Sequence, residues 1–129
     1  MSTLKVNSIQ DTSGSNGSTS EEISKGRAKV WVNFKGSGTL TVNESFNVSS
    51  VTDNGTGNYT INYSSALSSA NGCSVLGGGR GDSNFNMHVE TDTTPSASSL
   101  HIKGSYDWAG GGANANDLSR AYVAVFNDW

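Results

Sequence analysis

From Ala28 onward the chain alternates with a period of two, so that Val30, Val32 and Phe34 share one face and Lys29, Trp31 and Asn33 the other. That alternation marks a strand with one buried side. Gly36-Ser37-Gly38 interrupts it. A second strand is predicted over Thr39 to Val42, and a third over Phe46 to Thr52 with Phe46 and Val48 facing inward. Asp53-Asn54-Gly55-Thr56-Gly57 then supplies residues that tolerate positive φ. Tyr59, Ile61 and Tyr63 alternate with Thr60 and Asn62 beyond it, and together these make the strongest hairpin signal in the chain. Later strands are predicted at Ser74 to Leu76, Phe85 to Glu90, Leu100 to Tyr106 and Ala121 to Phe126, separated by loops rich in Gly, Ser and Asn. About eight short strands at this spacing predict an all-β fold, a single β-sandwich or jelly-roll-like domain.

The first 20 residues read differently. Their apolar content is Leu4, Val6 and Ile9, followed by a Ser/Gly/Asn tract, which predicts an extended amino-terminal arm and a flexible linker over 1–20. Ser18-Thr19-Ser20-Glu21-Glu22 then places a hydroxyl three residues before a Glu, and Gly26 follows. This is a capping-box pattern and predicts one or two helical turns at the start of a body spanning 21–129.

Composition sharpens this picture. Only 33% of the 129 residues are hydrophobic, and Ser, Thr, Asn and Gly fill about half the chain. An ordinary domain has about 45 to 50% apolar residues in a count that includes Gly. Core material is scarce, and sharing apolar surface between subunits is the usual remedy, so an oligomer is expected. A net charge of −3, with three Trp, four Tyr and four Phe, argues for folding over disorder. The eight Lys and Arg are scattered along the sequence, which speaks against nucleic acid or an anionic membrane as a partner. Cys73 is the single cysteine and is read as a small buried apolar residue. Met1 leads into polar residues and no 18-residue apolar run occurs, so a soluble protein without membrane insertion is expected.

Three blocks carry a resemblance. They are Leu4-Lys-Val-Asn-Ser-Ile-Gln-Asp-Thr-Ser-Gly14, Gly26-Arg-Ala-Lys-Val-Trp-Val-Asn-Phe-Lys-Gly-Ser-Gly-Thr39, and Ser45-Phe-Asn-Val-Ser-Ser-Val-Thr-Asp-Asn-Gly-Thr-Gly-Asn-Tyr-Thr-Ile-Asn-Tyr63. In these the chain resembles the small carboxy-terminal domains of tailed-bacteriophage tail fibres and related virion proteins. The resemblance covers roughly the first half. It implies a homotrimeric β-structured tip on a virion appendage, a tail fibre or alternatively a fibre on the capsid surface, that contacts a host-surface polysaccharide. That family's domain usually caps a much longer polypeptide, whereas here a short arm leads into the body. Leu4, Val6 and Ile9 are therefore candidates for docking onto other virion proteins, the alternative being a disordered tail. A decoration or adaptor protein without receptor binding is the second functional reading. Trp31 is a candidate for a contact buried between subunits, or else belongs to a second core layer within one subunit.

Candidate chemistry is sparse. Tyr106, Asp107 and Trp108 precede a glycine run and then Asn114 and Asn116. Aromatic faces beside short polar groups suit a sugar ring, though Tyr106 and Trp108 equally suit packing at a strand end. Arg80 and Asp82 sit on what reads as a flexible glycine loop, Gly77 to Ser83, and are further glycan candidates. His88 and His101 would face each other across a hairpin about Pro95, but no third and fourth ligand is evident, so neither metal nor cofactor is expected. Glu90 and Asp92 stand about 7 Å apart at i and i+2, within a glycosidase's range but without a cleft. No nucleophile has a base partner. A non-enzymatic binding protein is the expectation.

Overall fold

The computed structural model describes residues 2–81, 86–91, 96–107 and 113–127, with 86–91, 106–107 and 113–114 described by backbone alone. The arm folds back on itself as a two-residue pair, β1 (Ser8–Ile9) with β2 (Ser18–Thr19). Asp11 holds the turn. Its Oδ1 accepts from Ser13 Oγ (2.7 Å), Ser13 N (3.1 Å) and Ser15 N (2.8 Å). The tract expected to be a flexible linker thus makes an Asx-centred hairpin. Helix α1 (Ser20–Lys25) follows directly. Thr19 caps it: Glu22 N donates to Thr19 Oγ1 (3.1 Å) and Thr19 N donates to Glu22 Oε2 (2.7 Å), the reciprocal pair that the sequence pattern predicts.

The body comprises β3 (Val30–Lys35), β4 (Thr41–Phe46), β5 (Val48–Asp53), β6 (Asn58–Tyr63), β7 (Ser74–Gly81), β8 (Asn86–Thr91), β9 (Ser99–Asp107), β10 (Ala113–Ala115) and β11 (Leu118–Phe126). All are antiparallel neighbours in one hydrogen-bonded path, β4-β3-β11-β7-β8-β9-β6-β5, with β10 paired to β9. Strands β7, β8 and β9 are consecutive and β11 returns beside β7, a Greek key. The protein is all-β.

The path folds over on itself. Phe34 of β3 and Tyr59 of β6 have four strands between them along the path, yet their rings meet edge-on with centroids 5.2 Å apart at 68°. One layer is β4-β3-β11-β7 and the facing layer is β8-β9-β6-β5, a sandwich arrangement. Val30, Val32, Phe34, Ala121, Val123 and Val125 point inward from the first layer, and Tyr59, Ile61, Tyr63, Leu100 and Ile102 from the second. These are the apolar positions of the period-two runs. The β5–β6 hairpin turns at Gly55 (φ +117°) and Gly57 (φ +67°), as its Asn/Gly-rich turn requires.

Two expectations are corrected. Phe46 to Thr52 is not one strand with Phe46 inward, because Asn47 adopts φ +56° and divides it. The Asn47 side chain is locked to Ser65, accepting from its N (2.8 Å) and donating to its carbonyl (3.0 Å). The chain crosses between layers at that residue, and Phe46 is left on the outside at 49% exposure. Within the expected loop, Gly77 to Gly81 is the second half of β7, paired with β11 with one register shift between Leu118 and Arg120; Asp82 and Ser83 lie outside the described residues. Backbone hydrogen bonding to a neighbour on each side supports a strand that its side chains would not.

Lys29, expected on the polar face, is fully buried and donates to the Ser24 carbonyl (2.7 Å) and Ser24 Oγ (3.1 Å). It ties α1 to the body. Cys73 is half-buried at the core margin, and Asn127 Nδ2 donates to its sulfur (2.9 Å).

Candidate functional site

The outer face of the β4-β3-β11-β7 layer carries large side chains that none of the described residues covers. Register places them in rows. Phe46 pairs with Trp31, Trp31 with Ala124, and Ala124 with Leu76, so one row runs across all four strands. The next row is Glu44, Asn33, Tyr122 and Gly78. Trp31 (36%), Phe46 (49%), Tyr122 (47%) and Leu76 (60%) are exposed together on this face. Trp31 is therefore not part of a second core layer.

Between them lies an open groove of about 520 Å³, lined by Trp31, Asn33, Leu76, Gly77, Gly78 and Tyr122. Its floor is set by glycine. A Cβ added at Gly78 would meet nothing within 4 Å, so the position is a trough in the sheet surface. Trp31 and Tyr122 are diagonal neighbours on adjacent strands, about 7 to 8 Å apart at the backbone, and present two aromatic surfaces along its side.

The third row is basic. Arg80 of β7 pairs directly with Arg120 of β11, and Lys35 follows Phe34, whose partner is Ala121, so Lys35 stands level with Arg120 on the far side. All three are exposed. Arg120 reaches this face because of a β-bulge between Leu118 and Arg120. Leu118 is buried, and strict alternation would turn Arg120 inward with it; the extra residue, Ser119, reverses the phase. Ser119 Oγ donates to the carbonyls of Arg80 (2.8 Å) and Gly81 (3.1 Å), which clamps the bulge against β7.

No family model, curated protein or solved structure matches this chain. The site must stand on its geometry.

Of the glycan candidates singled out from the sequence, Arg80 belongs to this face, as does Trp31, the candidate for a contact between subunits. Tyr106 pairs with Asn114, and Asp107 with Ala113, where β10 lies against β9; Asp82 and Trp108 lie outside the described residues. Asn116 donates its N–H to the Gly104 carbonyl (3.3 Å) and so helps to close the end of the sandwich. The neighbouring Asp117 does the same: its Oδ1 accepts from Gly57 N (2.9 Å) and Tyr59 Oη (3.1 Å). Leu118 N donates back to the Tyr59 hydroxyl (3.3 Å). Burial, with the Asp117 carboxylate beside it, pushes the Tyr59 hydroxyl well above its ordinary range. The histidine pair does not form, since His88 pairs with Ser105 and His101 with Thr60. Glu90 stands opposite Lys103, and Asp92 lies outside the described residues.

The arm offers a second, smaller apolar surface. Val6 and Ile9 line a groove of about 240 Å³ with Ile23 and Arg27, and Leu4 is 83% exposed. Among the predicted docking residues Val6 and Ile9 are thus brought together with α1. Sequence reasoning missed the aromatic and basic face because its members come from positions 31–46, 76–80 and 120–124. Alternation turns Trp31 away from the core; only register makes Tyr122 its neighbour.

Proposed function

We propose that this protein is a non-enzymatic binding module of a phage virion appendage, tail fibre or capsid fibre, that assembles as a homotrimer and takes a host-surface glycan on the outer face of the β4-β3-β11-β7 layer. The observation that carries the reading is the exposed pair Trp31 and Tyr122 beside the Gly78 trough. Aromatic faces next to an amide such as Asn33 suit a pyranose ring, whose one side is apolar and whose rim is hydroxylated. Rigid strands hold them without an ordering cost on binding. The three sequence blocks that resemble tail-fibre domains support the virion setting. Attachment and trimerisation fall to the arm, whose Leu4, Val6 and Ile9 remain exposed in the single chain. Three weak sites on one trimer would raise net affinity by avidity.

The second reading, an adaptor that binds only other virion proteins, draws on the same arm groove. Adsorption of labelled protein to a panel of bacterial cells, competed by their extracted surface polysaccharide, tests the first reading. Loss of adsorption in Trp31→Ala and Tyr122→Ala supports it. Binding to purified virions together with no adsorption to any cell rejects it in favour of the adaptor.

A further inference from the structure

We infer that the saccharide taken by this face is anionic, its acidic substituent held by Arg80, Arg120 and Lys35 while its ring lies on Tyr122 and Trp31. The inference rests on the glycan-binding reading and adds the chemical class of the ligand.

The argument begins with an energetic oddity. Arg80 and Arg120 are directly opposed on adjacent antiparallel strands, and like charges so placed oppose strand pairing. Lys35 extends the cluster to a third strand. In a chain of net charge −3, three of the eight Lys and Arg are gathered in one row. Among the described residues none of the three forms an ion pair. At the outward positions of these strands the acidic side chain is Glu44, which pairs with Asn33 in the next row. None of the described acidic side chains neutralises the cluster. An irregularity of the backbone creates it, because the Ser119 bulge turns Arg120 outward and Ser119 Oγ fixes the bulge to the carbonyl of Arg80. A bulge beside a groove commonly serves to re-aim a side chain.

Position supplies the rest. Along β11, Arg120 stands two residues from Tyr122, and along β7, Arg80 stands two residues from Gly78, each about 7 Å along its strand. A six-membered sugar ring resting over the trough and against Tyr122 would bring a carboxylate or a sulfate ester at its edge within reach of both guanidinium groups. Guanidinium forks suit such planar or tetrahedral oxyanions. A single-stranded nucleic acid also combines stacking with charge, but it needs a basic track along several nucleotides; here the cations occupy one end of a short groove and the molecule as a whole is acidic.

The test is affinity electrophoresis of the full chain through gels containing polygalacturonate, its methyl-esterified form, dextran sulfate or plain dextran. Retardation by polygalacturonate, with about tenfold weaker retardation by the esterified polymer and by dextran, is expected from the loss of a charge-assisted contact. Retardation by dextran sulfate alone keeps the anionic assignment and identifies a sulfate ester as the source. R80Q and R120Q should each weaken retardation by about tenfold, and G78V should abolish it by filling the trough. R120Q and G78V should unfold at or above the wild-type temperature, because one relieves a like-charge pair and the other adds a β-branched residue where there is open space. That separates a binding defect from a folding defect. Equal retardation by acidic and esterified polymer, unchanged in R120Q and lost in W31A, overturns the anionic assignment and leaves glycan binding standing. Retardation by none of the polymers, or binding of single-stranded oligothymidylate in preference to all of them, overturns the inference outright.

Discussion

The phenol oxygen of Tyr59 fills the space that a side chain on Gly36 would need: a Cβ built on Gly36 would lie 2.2 Å from it. Tyr59 is fully buried between the layers and its ring is held against Phe34, so it has nowhere to retreat. Gly36→Ala is expected to destabilise the fold by about 1 to 3 kcal/mol through overpacking. A urea midpoint equal to wild type would show that the ring can move aside.

Tyr59 and Tyr63 should respond differently to loss of the hydroxyl. Tyr59→Phe removes the partner of the buried Leu118 N–H and one donor to Asp117, which should cost about 1 to 3 kcal/mol. The Tyr63 hydroxyl is buried with no hydrogen-bond partner among the described residues, so Tyr63→Phe should be neutral or stabilising. Denaturant midpoints of the two variants, measured side by side, check the contrast.

Both phenols also predict an alkaline limit. Burial raises both hydroxyls above the ordinary tyrosine range. A group whose folded-state pKa is raised stays protonated in the fold while the unfolded chain ionises from about pH 10. Their contribution is complete below that pH and is lost as pH rises toward the folded-state values. Stability should therefore fall above about pH 10, and the fall should be shallower in Tyr63→Phe, as followed by thermal unfolding across pH 8 to about 11.

Asp11 offers a test confined to the arm. Its carboxylate receives the Ser13 hydroxyl, the backbone N–H groups of Ser13 and Ser15, and the Asn16 amide (3.2 Å). Led by the Ser13 hydroxyl, these bonds lower its pKa, so the turn is favoured above the ordinary carboxylate range and weakens as pH falls through the lowered value. Asp11→Ala should speed amide exchange at Ser13 and Ser15 at neutral pH and leave exchange in β3 and β11 unchanged. If Val6 and Ile9 dock the trimer from this hairpin, the same variant should also reduce the mass seen by light scattering. An undiminished oligomer would remove the arm from assembly.

Much of the architecture was legible along the chain. Period-two alternation identified Val30, Val32, Phe34, Tyr59, Ile61 and Tyr63 as core, Asn54-Gly55-Thr56-Gly57 marked the hairpin, and Thr19 with Glu22 marked the helix start. Each of these is a local preference, decided by side-chain direction, permitted φ or a reach of three residues. The failures were of another kind. Alternation points Phe46 inward, and nothing in the sequence shows that Asn47 takes a left-handed conformation and passes the chain to the other layer; its partner Ser65 lies 18 residues away. The glycine run read as loop because its strand character comes from β11 rather than from its own side chains.

The binding face illustrates the division most clearly. By itself the sequence determined an all-β domain, a polar exterior and aromatic residues that alternation turns away from the core. Tertiary structure alone decided that Trp31, Tyr122 and Gly78 share a groove, and that Lys35, Arg80 and Arg120, which look scattered in sequence, stand in one row. The physical reason is that strand register and the Ser119 bulge are set by hydrogen bonds between distant segments, and a one-residue change in either sends every side chain beyond it to the opposite face.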